Sequence, residues 1–199
     1  MADDEKMTTN MAIRAAIDTI TEIMGANGAK IIFRNAGVEK VFDNPPPYDF
    51  NPCFPTRFQT QIFIEVEALV GLKGALSLWR RLGYGSTKAA HEIGHIFDAY
   101  KDLPPDEKFD KSLALFSMAV SKGKVETGAT GRAEFDGFDC TLCSPYYDQG
   151  IERAVCFVYT GCMQFVADFA YGKGVKMMVE TKCKAKGDET CYYELQTAK

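Results

Sequence analysis

Residues 179–191 read VETKCKAKGDETC, and this stretch decides how the last third of the chain is built. Glu180 stands three residues before Cys183, and Cys191 follows eight residues further on. Gly187 and Asp188 lie between the two thiols, where the chain has to turn back. In a flat strand successive side chains alternate between faces, so Glu180 and Cys183 would point apart. They converge only if the strand ends or bulges near Lys182. A fourth donor, Cys156, sits on a strongly apolar stretch upstream. Were the four to meet, they would form one closed tetrahedral site, and thiolates with a carboxylate suit zinc. Lys182, Lys184 and Lys186 would favour the thiolate forms. The plainer alternative is that the thiols are small buried apolar residues and Glu180 is a surface carboxylate.

Working outward, residues 149–171 read as a buried helix, with Val155, Val158, Cys162, Phe165, Val166 and Phe169 on one stripe. Val175 to Lys182 alternates as a strand, and Cys191 to Leu195 closes with another. Upstream, Lys124–Thr130 and Arg132–Asp139 are short, alternating and punctuated by glycine, which predicts a β-hairpin. The C-terminal order is therefore β-β-α-β-β. Before it lies a helical half. Residues 11–24 place Ile13, Ile17 and Ile20 at helical spacing, and Gly25 or Gly28 can end that helix. The proline-rich stretch DNPPPYDFNPCFP (43–55) reads as a loop. Residues 58–101 read as helical, broken near Gly71 and Gly83. Pro104 and Pro105 end that run, and helix resumes from Lys108. The expected class is α+β, an N-terminal helical half packed on a small antiparallel sheet. The expected division is an extension over 1–56 and a ligand-binding domain over 57–199.

Composition narrows the function. The 199 residues carry a formal charge of −4 and no block of Lys or Arg, which argues against a nucleic-acid surface. The start, MADDEKMTTN, is polar and acidic, unlike a signal peptide, and no apolar window has the length to span a bilayer. A cytoplasmic protein is expected. Seven cysteines in such a chain point to metal ligands before disulfides.

The segments CFVYTGCMQFVADFAYGKGV (156–175) and VETKCKAKGDETCYYEL (179–195) resemble the signature half of the 4-vinyl reductase domain family. Its pattern is a Cys on an apolar, Gly-containing helix, then E-x-x-C, then G-D-x-x-C and an aromatic. RLGYGSTKAAHEIGHIF (81–97) is similar to an earlier Gly-rich helix of that domain, so the resemblance covers about residues 80–196. It implies structural zinc at Cys156, Glu180, Cys183 and Cys191, beside a pocket for a small hydrophobic or aromatic ligand, as in phenol- and xylene-sensing activators. It also implies a fold similar to haem-nitric-oxide-binding domains and TRAPP subunits, and commonly a homodimer. Trp79, Tyr84, His91, His95 and Phe97 become candidate ligand contacts, and haem or another tetrapyrrole becomes a conceivable guest. The activators carry an ATPase module and a DNA-binding helix-turn-helix after this domain, and this sequence shows neither, so an unknown protein partner is expected. Gly94 is expected to allow close helix packing. Vinyl reduction is an alternative, although no G-x-G-x-x-G follows a strand to bind a hydride donor.

A rival reading rests on His91-Glu92-Ile93-Gly94-His95, which matches H-E-x-x-H of zinc hydrolases. No histidine follows His95, so a third ligand is missing. No catalytic residue is assigned. Cys140-x-x-Cys143 is a lone CxxC, open to a redox or a ligand role.

Overall fold

The computed structural model describes residues 7–120, 132–135, 150 and 156–198. The predicted strand over Lys124–Thr130, most of the one over Arg132–Asp139, the Cys140–Cys143 pair and residues 151–155 lie outside them. Among the described residues no helix is long and apolar enough to cross a membrane.

The chain opens with β1 (Met7–Thr9) and α1 (Asn10–Asn35). Thr9 caps α1 by accepting from the Ala12 N–H. The next orphan donors go to the proline-rich loop: Asn10 N–H donates to Asn51 O and Met11 N–H to Asp49 O. Gly25 does not end the helix. It bends it at φ 73°, a conformation that favours glycine, and the run continues through Ile31–Phe33. After the short α2 (Glu39–Asp43) comes β2 (Pro52–Pro55), antiparallel to β1. The stretch read as a loop thus ends in a short two-stranded pairing, which prolines tolerate at an edge.

Helix α3 (Thr56–Gly94) bends at Gly71 with nearly the dihedrals of Gly25. The expected break at Gly83 is absent. Gly83 is buried in mid-helix, and a Cβ there would sit 1.8 Å from the Val158 carbonyl oxygen. Reciprocally, a Cβ on Gly161 would sit 2.0 Å from Arg80 O. Two backbones therefore touch where α3 crosses α5 (Phe157–Tyr171). The close packing expected at Gly94 falls to this pair instead. Gly94 is exposed and a Cβ there meets only Ile96, at 3.6 Å.

Helix α4 (Pro105–Val120) starts three residues earlier than expected, because proline suits the first helical position and Asp106 and Glu107 complement the helix dipole. The C-terminal sheet has the order β3 (Arg132–Phe135), β5 (Cys191–Thr197), β4 (Lys176–Lys182), all antiparallel. Met178, Cys191 and Tyr193 are buried on its inner face, whereas Met177 and Thr181 face outward. The free edge of β4 is sealed by side chains. The Gln164 amide accepts from Met178 N–H and donates to Lys176 O, both at 2.9 Å, and Arg80 donates to Met178 O at 3.3 Å. Gln164 thereby imitates one peptide unit of a neighbouring strand.

The helix crossing is directly testable. Gly161→Ala forces a methyl into the Arg80 carbonyl, and the urea midpoint should fall by the equivalent of about 3 kcal/mol. Gly85→Ala meets nothing within 4 Å and should be neutral or slightly stabilising. Equal effects would remove the crossing as the source.

Candidate metal centre and ligand cavity

The hairpin between β4 and β5 solves the convergence problem in its backbone. The register slips between Glu180 and Lys182, and β4 ends at Lys182. Cys183 begins a tight loop in which Lys186 N–H and Asp188 N–H both donate to Cys183 O, at 2.9 and 3.3 Å. Gly187, at φ 90°, makes the turn, and Asp188 Oδ2 accepts from Cys183 N–H at 2.8 Å. Lys184 N–H then donates to Cys191 Sγ at 3.4 Å. Cys156 approaches from the residue before α5.

These elements bring one ligand atom each from Cys156, Glu180, Cys183 and Cys191 within 4.8 Å of one another. The three thiols are 0–1% exposed. Burial, with Cys183 beside it, pushes the Glu180 carboxyl up to about 9. Its Oε1 is enclosed and has no hydrogen-bond partner among the described residues. An enclosed carboxylate oxygen without a partner is costly, and a cation at the centre of the four would supply that partner. Three sulfurs and one oxygen, all from protein, form a closed donor set.

A separate cavity of about 390 Å³ lies between the N-terminal elements and α3, α4 and α5. Met11, Leu82, Phe116 and Val158 supply apolar wall, and Thr8, Gln59 and Thr87 supply polar groups. Among the described residues no lining side chain is charged. Cys162 also borders it, its thiol pushed up to about 12 by burial.

None of the five residues singled out as ligand contacts borders this cavity. Trp79 is 2% exposed, with its ring centroid 4.1 Å from that of Phe63. Tyr84 donates to Asp168 Oδ2 at 3.1 Å, and burial and that carboxylate push its hydroxyl up to about 12. Phe97 is fully buried, and His91 packs among Phe97, Phe165 and Phe169 with centroids 4.9–6.0 Å away. His95 is exposed beyond the end of α3 at φ 54°, with Nδ1 3.1 Å from Asp98 Oδ2. Glu92 faces Lys88 at 3.4 Å. Asp98 lies near both histidines of the H-E-x-x-H segment, 3.8 Å from His91 Nδ1 and 3.1 Å from His95 Nδ1, but among the described residues only Cys156, Glu180, Cys183 and Cys191 converge as a group that could hold a metal.

The cavity residues escaped the sequence reading. A usable signal was present, because Thr56, Gln59 and Thr60 are buried beside Ile62 and Phe63. Polar groups on an inward helix face need a partner or a guest.

No family model matches this sequence, and no curated protein does either. Solved structures do. One is the phenol-responsive sensory domain of the transcription activator PoxR with phenol, at 17% identity and TM-score 0.58, covering 75% of this chain and 77% of that one. A Tt H-NOX variant matches at 15% identity and TM-score 0.59, over 96% of each chain. An oxygen-binding H-NOX domain related to soluble guanylate cyclases matches at 14% identity and TM-score 0.54, also over 96% of each. The chain therefore shares the fold of these domains.

Haem is the guest that the H-NOX likeness brings up, since one such structure addresses haem distortion in that family. The residues here do not fit it well. The cavity lining offers no imidazole, and Cys162 stays a neutral thiol. Both histidines of the chain lie outside the cavity lining.

Cys183→Ser should abolish binding of a divalent ion, read by elemental analysis, and lower stability by on the order of 4 kcal/mol. His91→Ala should leave the bound metal in place. The opposite pattern would move the metal to the histidine segment.

Proposed function

We propose that this chain is a zinc-stabilised sensory domain that binds a small hydrophobic or aromatic molecule and reports it to a protein partner. Zinc at Cys156, Glu180, Cys183 and Cys191 clamps the hairpin to the start of α5 and takes no part in chemistry, since a closed four-ligand site leaves no position for a substrate. The N-terminal residues, read from sequence as an extension over 1–56, close one side of the cavity of the 57–199 domain. Signalling runs through a second protein, with the domain itself as a homodimer.

The observation that carries this reading is the cavity of about 390 Å³, uncharged among the described residues, at the junction of the N-terminal elements with α3, α4 and α5. Its size and its few polar groups are those of a ligand site. The solved sensory domain with phenol supports the same class of guest. The buried, partnerless Oε1 of Glu180 supports the metal.

Native protein extracted with organic solvent should release a neutral small molecule detectable by mass spectrometry, and elemental analysis should find about one zinc per chain. Leu82→Trp, which fills the cavity from α3, should abolish retention of that molecule while leaving the zinc content unchanged. A stable, metal-free protein would sink the zinc assignment. Retention unchanged in Leu82→Trp would sink the cavity assignment.

A further inference from the structure

The walls of the cavity on α3, α4 and α5 are tied to one another. The crossing at Gly83 and Gly161 locks α3 against α5. Helix α4 is joined to α5 by the Phe116–Tyr159 ring contact, with centroids 6.2 Å apart, and by the Tyr171 hydroxyl donating to Asp106 Oδ1 at 2.9 Å. The side formed by the N-terminal elements differs. Among the described lining residues only Met7 and Phe50 are exposed, at 44% and 53%. Phe50 stands on the proline-rich loop between two fixed points. Asp49 O accepts from Met11 N–H at 2.8 Å, and Asn51 O accepts from Asn10 N–H at 2.9 Å. The Asp49 carboxylate braces the same stretch, accepting from Asn10 Nδ2 at 2.8 Å and from Asn51 N–H at 2.9 Å. The backbone on either side of Phe50 is thus pinned to the start of α1. Its ring enters none of the aromatic contacts that hold Phe54 edge-on to Phe58.

We infer that the guest enters and leaves past Phe50 and Met7, and that the Phe50 ring, turning on a fixed backbone, is the selectivity-determining group that sets which guests pass and how fast. The inference rests on the cavity being the ligand site, and it adds how that site is reached. With Asp49 and Asn51 anchored, the loop has no need to lift. The ring only has to exchange one staggered side-chain position for another, and it can do so from an exposed site without leaving a packed core. Buried Leu82, Phe116 and Val158 could not move aside without opening that core. The competing way in, past half-buried Ile96 and Leu115, would part side chains that pack against the core. A mouth residue and a wall residue differ in kinetics. Trimming the first changes entry and exit alike, whereas trimming the second changes exit and leaves entry as it was.

The test mixes N-phenyl-1-naphthylamine, a neutral apolar dye, with the full chain by stopped flow and follows the emission of the dye. In Phe50→Ala the association and dissociation rate constants should both rise about tenfold, with Kd within about threefold of the unaltered protein. Phe50→Trp should slow both. Leu115→Ala should speed association less than Phe50→Ala does. With naphthalene, a smaller guest, Phe50→Ala should speed association less than it does for the dye, as selection by size requires. Faster dissociation with unchanged association in Phe50→Ala makes Phe50 ordinary wall and overturns the inference. So does a lack of slowing in Phe50→Trp, a larger effect of Leu115→Ala, or equal acceleration for the two probes. In each of those cases the cavity still binds the dye and stands as a ligand site. Leu82→Trp separates the two readings, because filling the cavity should abolish dye binding. Dye binding that persists in Leu82→Trp, or is absent from the unaltered protein, overturns the cavity reading and this inference with it.

Discussion

The contact between the backbones of α3 and α5 at Gly83 and Gly161 sets the positions of everything chemical in this chain. At a crossing this close, neither helix can carry a side chain at its contact point, and neither can slide without driving Cβ atoms of neighbours into a carbonyl. The crossing fixes α5, and α5 bears on both sites. Cys156 stands immediately before it, over the metal hairpin, whereas Val158, Tyr159 and Cys162 face the cavity. Val158 contributes twice, with its carbonyl against Gly83 and its side chain in the cavity wall. A shift of α5 by an ångström would pull Cys156 away from Glu180, Cys183 and Cys191 and reshape the cavity together.

The sheet is held to this crossing by polar groups rather than by more apolar surface. Arg80 lies one turn from Gly83, and Gln164 one turn from Gly161, and both reach the free edge of β4. Gln164 Nε2 also donates to Asp168 Oδ1 at 2.9 Å, and Asp168 accepts from Tyr84 on α3. One network thus joins both helices to the strand that carries Glu180. It satisfies strand N–H and C=O groups at an edge that would otherwise invite pairing with another chain. The Cys156–Glu180–Cys183–Cys191 group joins the far end of the same strand to the hairpin beyond it.

Much of the C-terminal half was legible from sequence, and for physical reasons. Alternation puts Met177 and Met178 on opposite faces of β4; it does not say which face is buried, and the structure buries Met178. The separation of Glu180 from Cys183 demanded that β4 stop or bulge near Lys182, which it does. The Gly187-Asp188 turn was signalled by its residues, and Gly187 has the positive φ that explains the glycine. The helical half was legible in class and less so in detail. Glycine inside a helical pattern has two meanings, a bend where φ is positive, as at Gly25 and Gly71, and a contact where it is not, as at Gly83. Sequence periodicity does not distinguish them. It reports that a residue faces inward, and not whether it meets another side chain or empty space. For that reason Trp79 and Phe97, large and inward, looked like cavity wall and are packed core, whereas Gln59 and Thr87 were passed over.

The fold also leaves the guest undetermined. The same architecture appears in structures described with phenol and in others described with haem, at 12–17% identity to this chain. What a given chain holds must then follow from the few side chains that border its cavity. In this chain the imidazole of His91 is placed among three phenylalanine rings, and that of His95 lies beside Asp98 at the surface. Neither is available to a guest at the junction of α1, α3 and α5. The cavity keeps aliphatic and aromatic walls with the hydroxyls of Thr8, Ser86 and Thr87 and the amide of Gln59 among them. A guest held there would meet apolar walls and neutral hydrogen-bonding groups rather than an imidazole.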